Sequence, residues 1–355
     1  MRHGREAGPH PRFALPAAGG SRRGARPRGT PYRAAVAVRA QLYDAGWRET
    51  VRLPVPVLSV GNLAAGGTGK TPLAIALADE LLRRGRHPGV VARGYRREAG
   101  QALNDEGREI AAALGDLVPQ QQDPDRVAAA RALLEAHPRT DVLVLDDGFQ
   151  HRRVRRDLDL VLLDGTHPLA AAHLLPRGRL REPPAALARA DLVVVTRAEG
   201  LDAQARLDRA MEIAHVTDAP IVFAATRVLR IDGLPDTHPA ALYGLPVALL
   251  SGIGAPRAFR ATVESLGADV RWHVAPGDHR TVSPERLEAL RERARAAGAR
   301  ALLITRKDAM KLGPVLEAPG PVPVGVVVTA ADVVEGADAW SAAIGRALGA
   351  VGRAG

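Results

Sequence analysis

Cysteine is absent from the 355-residue sequence, which excludes a disulfide framework and thiolate chemistry and leaves a reducing compartment open to the protein. Long apolar runs are absent too. No stretch approaches the roughly 18 apolar residues that a membrane-spanning helix requires, and the N-terminal residues lack the apolar core of a secretory signal. Aromatic residues make up only 3% of the chain, and lysine is scarcer still. Of 49 basic residues, only Lys70, Lys307 and Lys311 are lysine.

What is present is the composition of a globular protein, 46% apolar and 25% charged, with length for two full cores. The net charge of +10 is unevenly placed: residues 1–29 hold seven arginines against Glu6 alone. The basic character therefore belongs largely to this tail. No recognition motif accompanies it, so no nucleic-acid partner is expected, and its glycine, proline and arginine content reads as disorder. Residues 30–50 follow as an amphipathic helix, with Tyr32, Val36, Tyr43 and Trp47 recurring on one side and Arg33, Arg39 and Arg48 available to face headgroups. Two readings of it stand: a helix packed on the body of the protein, or an interfacial membrane helix.

The most informative segment spans residues 57–72, where an apolar run enters a glycine-rich loop that ends in Gly-Lys-Thr and opens onto a helix. That pattern is a phosphate cradle. Gly66, Gly67 and Gly69, with Thr68 between them, let backbone N–H groups wrap a polyphosphate, and the helix N-terminus adds free donors and its positive dipole end. Lys70 would reach the β- and γ-phosphates, and the Thr71 hydroxyl would bind Mg²⁺. Ala64 stands where the standard pattern has its first glycine. A chain that nearly always chooses arginine has nonetheless placed lysine where a compact point charge is needed. Pro72 falls in the first turn, where its missing N–H costs nothing.

A second signal lies at residues 142–147, where a buried parallel strand delivers Asp146 and Asp147 at its C-terminal edge. Ligands bind at that edge in doubly wound sheets, and a carboxylate there can hold the Mg²⁺ also touched by Thr71. Gln150 and His151 follow closely enough to place donors near the same phosphates, with capping or solvated-loop roles equally open. Apolar, β-rich runs at 55–60, 89–92, 142–145, 160–163, 192–196 and 221–224 alternate with helical patterns such as 73–84 and 126–136. Fully apolar strands mean a parallel sheet covered on both faces. A second series occupies 247–251, 270–274, 301–305 and 324–328 and ends in a helix near 337–348. The expected fold is thus α/β: a P-loop NTPase-like doubly wound parallel sheet over residues 51–228, a linker at 229–246 rich in proline and glycine, and a smaller α/β domain at 247–355.

These motifs, taken in order, resemble the tetraacyldisaccharide 4'-kinase family of the lipid A pathway. The likeness rests on Pro54-Val55-Pro56-Val57, Gly61-Asn62, the loop from Gly66 to Pro72, Arg93-Gly94-Tyr95, Asp123-Pro124-Asp125-Arg126 and Asp146-Asp147-Gly148-Phe149-Gln150-His151. It continues through Leu174-Leu175-Pro176, Leu180-Arg181-Glu182-Pro183, Asp278-His279 and Thr305-Arg306-Lys307-Asp308-Ala309. The family's loop also commonly lacks the first glycine. The resemblance implies transfer of the ATP γ-phosphoryl to the 4'-hydroxyl of an acylated glucosamine disaccharide 1-phosphate, at the cytoplasmic leaflet of the inner membrane, with no obligate protein partner. It also implies a catalytic pair, Asp105 and His279, and substrate contacts at Arg181 and Glu182.

Departures accompany the match. The family's Gly-Asp-Glu-Pro is here Asn104-Asp105-Glu106-Gly107, and from the residues alone Asp105 reads as part of a helix N-terminus. Arg306 replaces a common glutamate, Arg280 a common aromatic or histidine, and Arg177 and Arg179 stand where less basic residues are common. Those two arginines either strengthen phosphate binding or solvate their loop. Rival classes are a partition or metallochaperone type P-loop ATPase or GTPase, whose signature lysine position is here Ala65, and a soluble kinase of a small metabolite.

Overall fold

The structure is a computed structural model, and it describes residues 30–94, 103–169, 172–277 and 282–349. Helix α1 (Thr30–Asp44) precedes strand β1 (Val57–Asn62), the glycine-rich loop and α2 (Lys70–Arg83). There follow β2 (Pro88–Ala92), α3 (Asp105–Leu114), β3 (Gln120–Gln122), α4 (Arg126–Ala136), β4 (Val142–Asp146), β5 (Leu158–Asp164) and β6 (Leu192–Thr196). Helix α5 (Ala203–Ala214) leads into the long strand β7 (Ile221–Asp232). The second half runs β8 (Pro246–Leu250), α6 (Pro256–Glu264), β9 (Asp269–Val274), α7 (Pro284–Ala296), β10 (Ala301–Thr305), α8 (Arg306–Leu312), β11 (Val324–Glu335) and α9 (Ala337–Gly349).

All strands join one sheet in the order β3-β2-β4-β1-β5-β6-β7-β11-β10-β8-β9. Pairing is parallel except between β7 and β11, which run antiparallel along most of their length. The apolar strands β1, β4, β5 and β6 are buried at every residue, because helices cover both faces and leave no solvated side that would demand alternation. Strand β7 behaves differently. It extends well past the apolar run at 221–224 into Thr226-Arg227-Val228-Leu229-Arg230, where buried and exposed residues mix, and its ladder with β11 ends at Asp232, inside the expected 229–246 linker. The short edge strand β3 was not expected, since three glutamines carry no apolar signal.

Each half builds its own cores. On one face of the first half, Leu73, Leu77 and Leu81 of α2 pack with Val60, Val144 and Leu160, and on the other Phe149 and Leu187 pack with Val161 and Val193. In the second half Leu287 and Leu290 of α7 cover Leu302 and Ile304. The last helix returns to the first half: Trp340 and Ile344 of α9 complete the core beneath α2. The parallel order brings the C-terminal ends of β1, β4, β5 and β6 to one edge, and the candidate site assembles there.

Candidate active site

Strand β1 reaches this edge and turns into the loop without a side-chain cap on α2, so the first N–H groups of that helix face the site. Gly66 has φ +109 and Gly69 φ +84, left-handed conformations that explain glycine at both positions. Thr68 is buried; its hydroxyl accepts a bond from Asn62 Nδ2 at 2.6 Å, and its carbonyl accepts one from Thr196 Oγ1 at 3.0 Å. The cradle is therefore braced from β1 and β6. Gly67 leaves open space where a side chain would project, and Thr71, in the first turn of α2, is buried.

Strand β4 ends against this loop. Lys70 Nζ lies 3.5 Å from Asp147 Oδ1, and Arg181 reaches the same carboxylate at 3.0 and 2.9 Å. Burial pushes the Asp147 carboxyl up, but Lys70 and Arg181 more than offset it and hold it below the usual carboxylate range. Asp147 takes φ +52, a left-handed turn that aspartate tolerates. The turn returns so close to β1 that a Cβ on Gly61 would lie 2.4 Å from Phe149 Cβ. Asp146 is the contrasting neighbour. It is buried, its Oδ1 has no hydrogen-bond partner, and burial, reinforced by the nearby charge of Glu106, raises its pKa to about 7. An orphaned carboxylate oxygen within the field of Lys70, the first residue of α2, fits a hard divalent cation.

The expected substrate residues surround this pair. Gln150 Nε2 donates to the Asn62 carbonyl at 2.9 Å, and its Oε1 accepts from Arg181. Glu182 pairs with Arg189 at 2.8 Å, and Arg189 lies over the Phe149 ring. His151 is half-buried with no partner on Nε2; burial, then the charges of Arg126 and Arg39, lowers its pKa to about 4. It is a neutral imidazole above that range. Helix α1 closes one side: the Tyr32 hydroxyl donates to the Arg181 carbonyl at 2.9 Å, and Arg39 donates to the Gln150 carbonyl at 2.8 Å. A cavity of about 240 Å³ opens between Tyr32, Val36 and Arg39 of α1 and Gln150, Arg181 and Glu182. The Tyr32 and Val36 side of α1 faces the protein, whereas Val38 and Trp47 are exposed.

Asp105 is the first residue of α3, capped by the Asn104 side chain on the Gly107 N–H. Its carboxylate meets Arg108 at 2.5 Å and Lys311 of α8 at 4.0 Å. Burial raises its pKa, but the Arg108 bond and the charges of Lys311 and Lys307 bring it below the ordinary value. His279 and Asp278 lie outside the described residues, as does Tyr95. Lys307 and Lys311 were assigned no role from the sequence, although the lysine scarcity that marked Lys70 applies equally to them. All three lysines act on carboxylates singled out from the sequence, Lys70 on Asp147 and Lys307 and Lys311 on Asp105.

A glycine-rich loop opening onto a helix, a paired carboxylate, a carboxylate with one orphaned oxygen, and an apolar-sided cavity thus lie at one sheet edge. A model of the tetraacyldisaccharide-1-P 4'-kinase family matches residues 23–346. The chain belongs to that family. The tetraacyldisaccharide 4'-kinase of Anaeromyxobacter dehalogenans strain 2CP-C is 40% identical over 332 residues, covering 88% of this chain and 87% of that protein. The enzyme of the same name from Geobacter metallireducens is 40% identical over 304 residues, 81% of this chain and 87% of its own. A solved structure of LpxK from Aquifex aeolicus in complex with ATP aligns with a TM-score of 0.69 at 28% identity, covering 90% of this chain and 97% of that one. Membership of the tetraacyldisaccharide-1-P 4'-kinase family disfavours the switch-ATPase and small-metabolite readings.

Proposed function

We propose that the protein transfers the γ-phosphoryl of ATP to the 4'-hydroxyl of tetraacyldisaccharide 1-phosphate, forming lipid IVA in lipid A biosynthesis. The single observation that carries the reading beyond family membership is the placement of the α1 cavity against Arg181, whose guanidinium is bound to the carboxylate that also pairs with Lys70. A lipid-borne sugar in that cavity meets the phosphate end of the nucleotide. Gly66, Gly67, Thr68 and Gly69 cradle the phosphates through backbone donors, and Lys70 leaves Asp147 to neutralise the β- and γ-phosphates. Thr71 and Asp146 are the residues that would hold Mg²⁺, which neutralises charge on the triphosphate when bound.

Asp105, a carboxylate ionised at neutral pH with a pKa below the ordinary value, accepts the proton of the attacking hydroxyl. His279 supports or orients the same hydroxyl, as the family resemblance implies. Gln150, Arg181 and Glu182 line the acceptor cavity, with His151 next to them in the chain, and the arginine fork suits phosphate or sugar oxygens. Among the described residues no helix is long and apolar enough to cross a membrane. Peripheral attachment to the cytoplasmic face of the inner membrane fits α1 and its flank, where Val38 is 53% and Trp47 82% exposed.

Incubation of the purified protein with labelled ATP, Mg²⁺ and tetraacyldisaccharide 1-phosphate in mixed micelles tests the reading. A labelled bisphosphorylated lipid is expected. ATP turnover stimulated by a water-soluble sugar, with no labelled lipid, would overturn it.

A further inference from the structure

The face of the phosphate loop opposite Thr68 carries a second set of contacts that the reading above does not use. Residues 179–181 pair with the entry to the loop through one isolated antiparallel bridge: Ala65 N–H donates to the Arg179 carbonyl at 2.7 Å, Arg181 N–H to the Leu63 carbonyl at 2.6 Å, and Leu180 bridges Ala64. Side chains alternate in direction across such a β-bridge. Leu180 is buried in the core beside Leu63 and Phe149, so Arg179 projects to the same side as Arg181, the side of Lys70 and Asp147. Its guanidinium lies over Gly66, where an added Cβ would come within 2.9 Å of Nη2.

This arginine is held by a chain of side chains. Arg179 Nη1 donates to His167 Nε2 at 3.1 Å, which puts the imidazole proton on Nδ1, 3.1 Å from Asp164 Oδ2. Asp164, buried at the end of β5, also accepts from the Thr166 hydroxyl at 2.7 Å and from Arg197. Arg197 in turn donates to the Gly67 carbonyl and holds a left-handed φ of +60. One buried carboxylate thus anchors two arginines, one over Gly66 and one on Gly67.

We propose that Arg179 contacts the transferred phosphoryl group, acting as an arginine finger supplied by the chain itself, with His167, Asp164 and Arg197 as positioning residues. The proposal rests on the phosphoryl-transfer reading given above. In that reaction the bond between the γ-phosphorus and its bridging oxygen breaks as the sugar oxygen bonds to phosphorus. The bridging oxygen leaves with ADP, and the hydroxyl proton passes to a carboxylate. Negative charge grows on the bridging and equatorial oxygens, where a guanidinium fork on the loop's outer rim matches it better than a lone ammonium. Lys70 serves the ground-state charge from the helix side, and Arg179 serves the developing charge from the rim.

The test compares Arg179→Ala, Arg179→Lys and the control Arg177→Ala with the unmodified full chain, using turnover with ATP and the acylated disaccharide. Equilibrium binding of ADP is measured alone and with aluminium fluoride, both with Mg²⁺. Unmodified protein is expected to bind ADP at least about tenfold more tightly with aluminium fluoride, which mimics the transferred group. Arg179→Ala should lower kcat by about 100-fold or more, leave ADP affinity within about threefold and lose most of the tightening; Arg179→Lys should recover part of both. Arg177→Ala should match the unmodified protein.

Three results overturn the proposal: kcat of Arg179→Ala within about threefold of the unmodified protein, equal weakening of ADP with and without fluoride, or no tightening in the unmodified protein. The second would mean that Arg179 merely props the loop. Absence of lipid phosphorylation by the unmodified protein would instead count against the functional reading. The fluoride arm uses no acceptor, so it still decides the role of Arg179.

Discussion

The two halves of the sheet are built alike and used differently. Both place buried parallel strands between helices, yet in the first half the strand ends carry the working groups directly: Asn62 on β1, Asp146 on β4, Asp164 on β5 and Thr196 on β6. In the second half the end of β10 is occupied with its own capping, as Thr305 accepts from the Asp308 N–H and Asp308 accepts from the Gly252 N–H. Its contribution is made one turn later, through Lys311, whose side chain is 9% exposed and reaches across to Asp105. The glycine-rich loop and its braces are therefore local to one half, while the environment of Asp105, the proposed base, is shared between both. A parallel strand end offers a ligand backbone and short side chains, whereas only a long cation can bridge from the neighbouring half.

Substitutions can break this division, and the largest effect is expected where the halves meet. Asp105→Ala should lower kcat by about 100- to 10,000-fold in the lipid assay with ATP affinity little changed. Near-normal turnover would remove it as the base. Lys70→Ala, confined to the first half, should cost about 100- to 1,000-fold and weaken ATP binding as well. Lys311→Ala should cost less, on the order of tenfold in kcat, as loss of one charge-assisted contact would give. Its signature is in the pH profile: the Lys311 charge lowers the Asp105 pKa, so its loss should move the acidic limb of kcat to higher pH. An unchanged limb would dissolve the link between the halves.

Two effects of pH sharpen the comparison within the first half. The folded-state pKa of Asp146, about 7, exceeds the ordinary 3.8, so without metal its contribution to stability is lost as pH rises through 7. Thermal stabilisation by Mg²⁺ with ATP should accordingly be greater at about pH 8 than at about pH 6, and Asp146→Asn should flatten that difference. The smallest effect belongs to His151. Its folded pKa of about 4 lies below the ordinary 6.5, so the unfolded chain binds the proton first, and stability should fall as pH drops from 6.5 towards 4. Thermal melts of His151→Gln should show a shallower decline over that window.

Much of the first half was legible in the sequence because its chemistry is local. Strand β6 and helix α4 have the expected limits, and the Gly-Lys-Thr turn into α2 stands beside the end of β4 as the motif order implied. Strand β7 was read only to residue 224 because its later residues alternate, having one face on the antiparallel partner β11 and no continuous apolar run. The return of α9 onto the first core could not be read from its own amphipathic pattern, which records that a face is buried but not against what. Asp146 and Asp147 were equivalent in the sequence. Only packing separates them, by turning Asp147 onto Lys70 and Arg181 and leaving an Asp146 oxygen unpaired. The links from Lys311 to Asp105 and from Asp164 to Arg179 connect distant segments through single side chains, which no periodicity encodes.

In the proposed reaction Lys70 and Asp105 direct the γ-phosphoryl to one hydroxyl of a lipid-borne sugar. Phosphorus–proton correlation NMR of the lipid made from ATP and tetraacyldisaccharide 1-phosphate tests it most directly. A new phosphate coupled to the proton at the 4' carbon is expected, absent when Lys70→Ala or Asp105→Ala replaces the unmodified protein. A phosphate at any other position, or ATP consumed with no phosphate on the lipid, would contradict it.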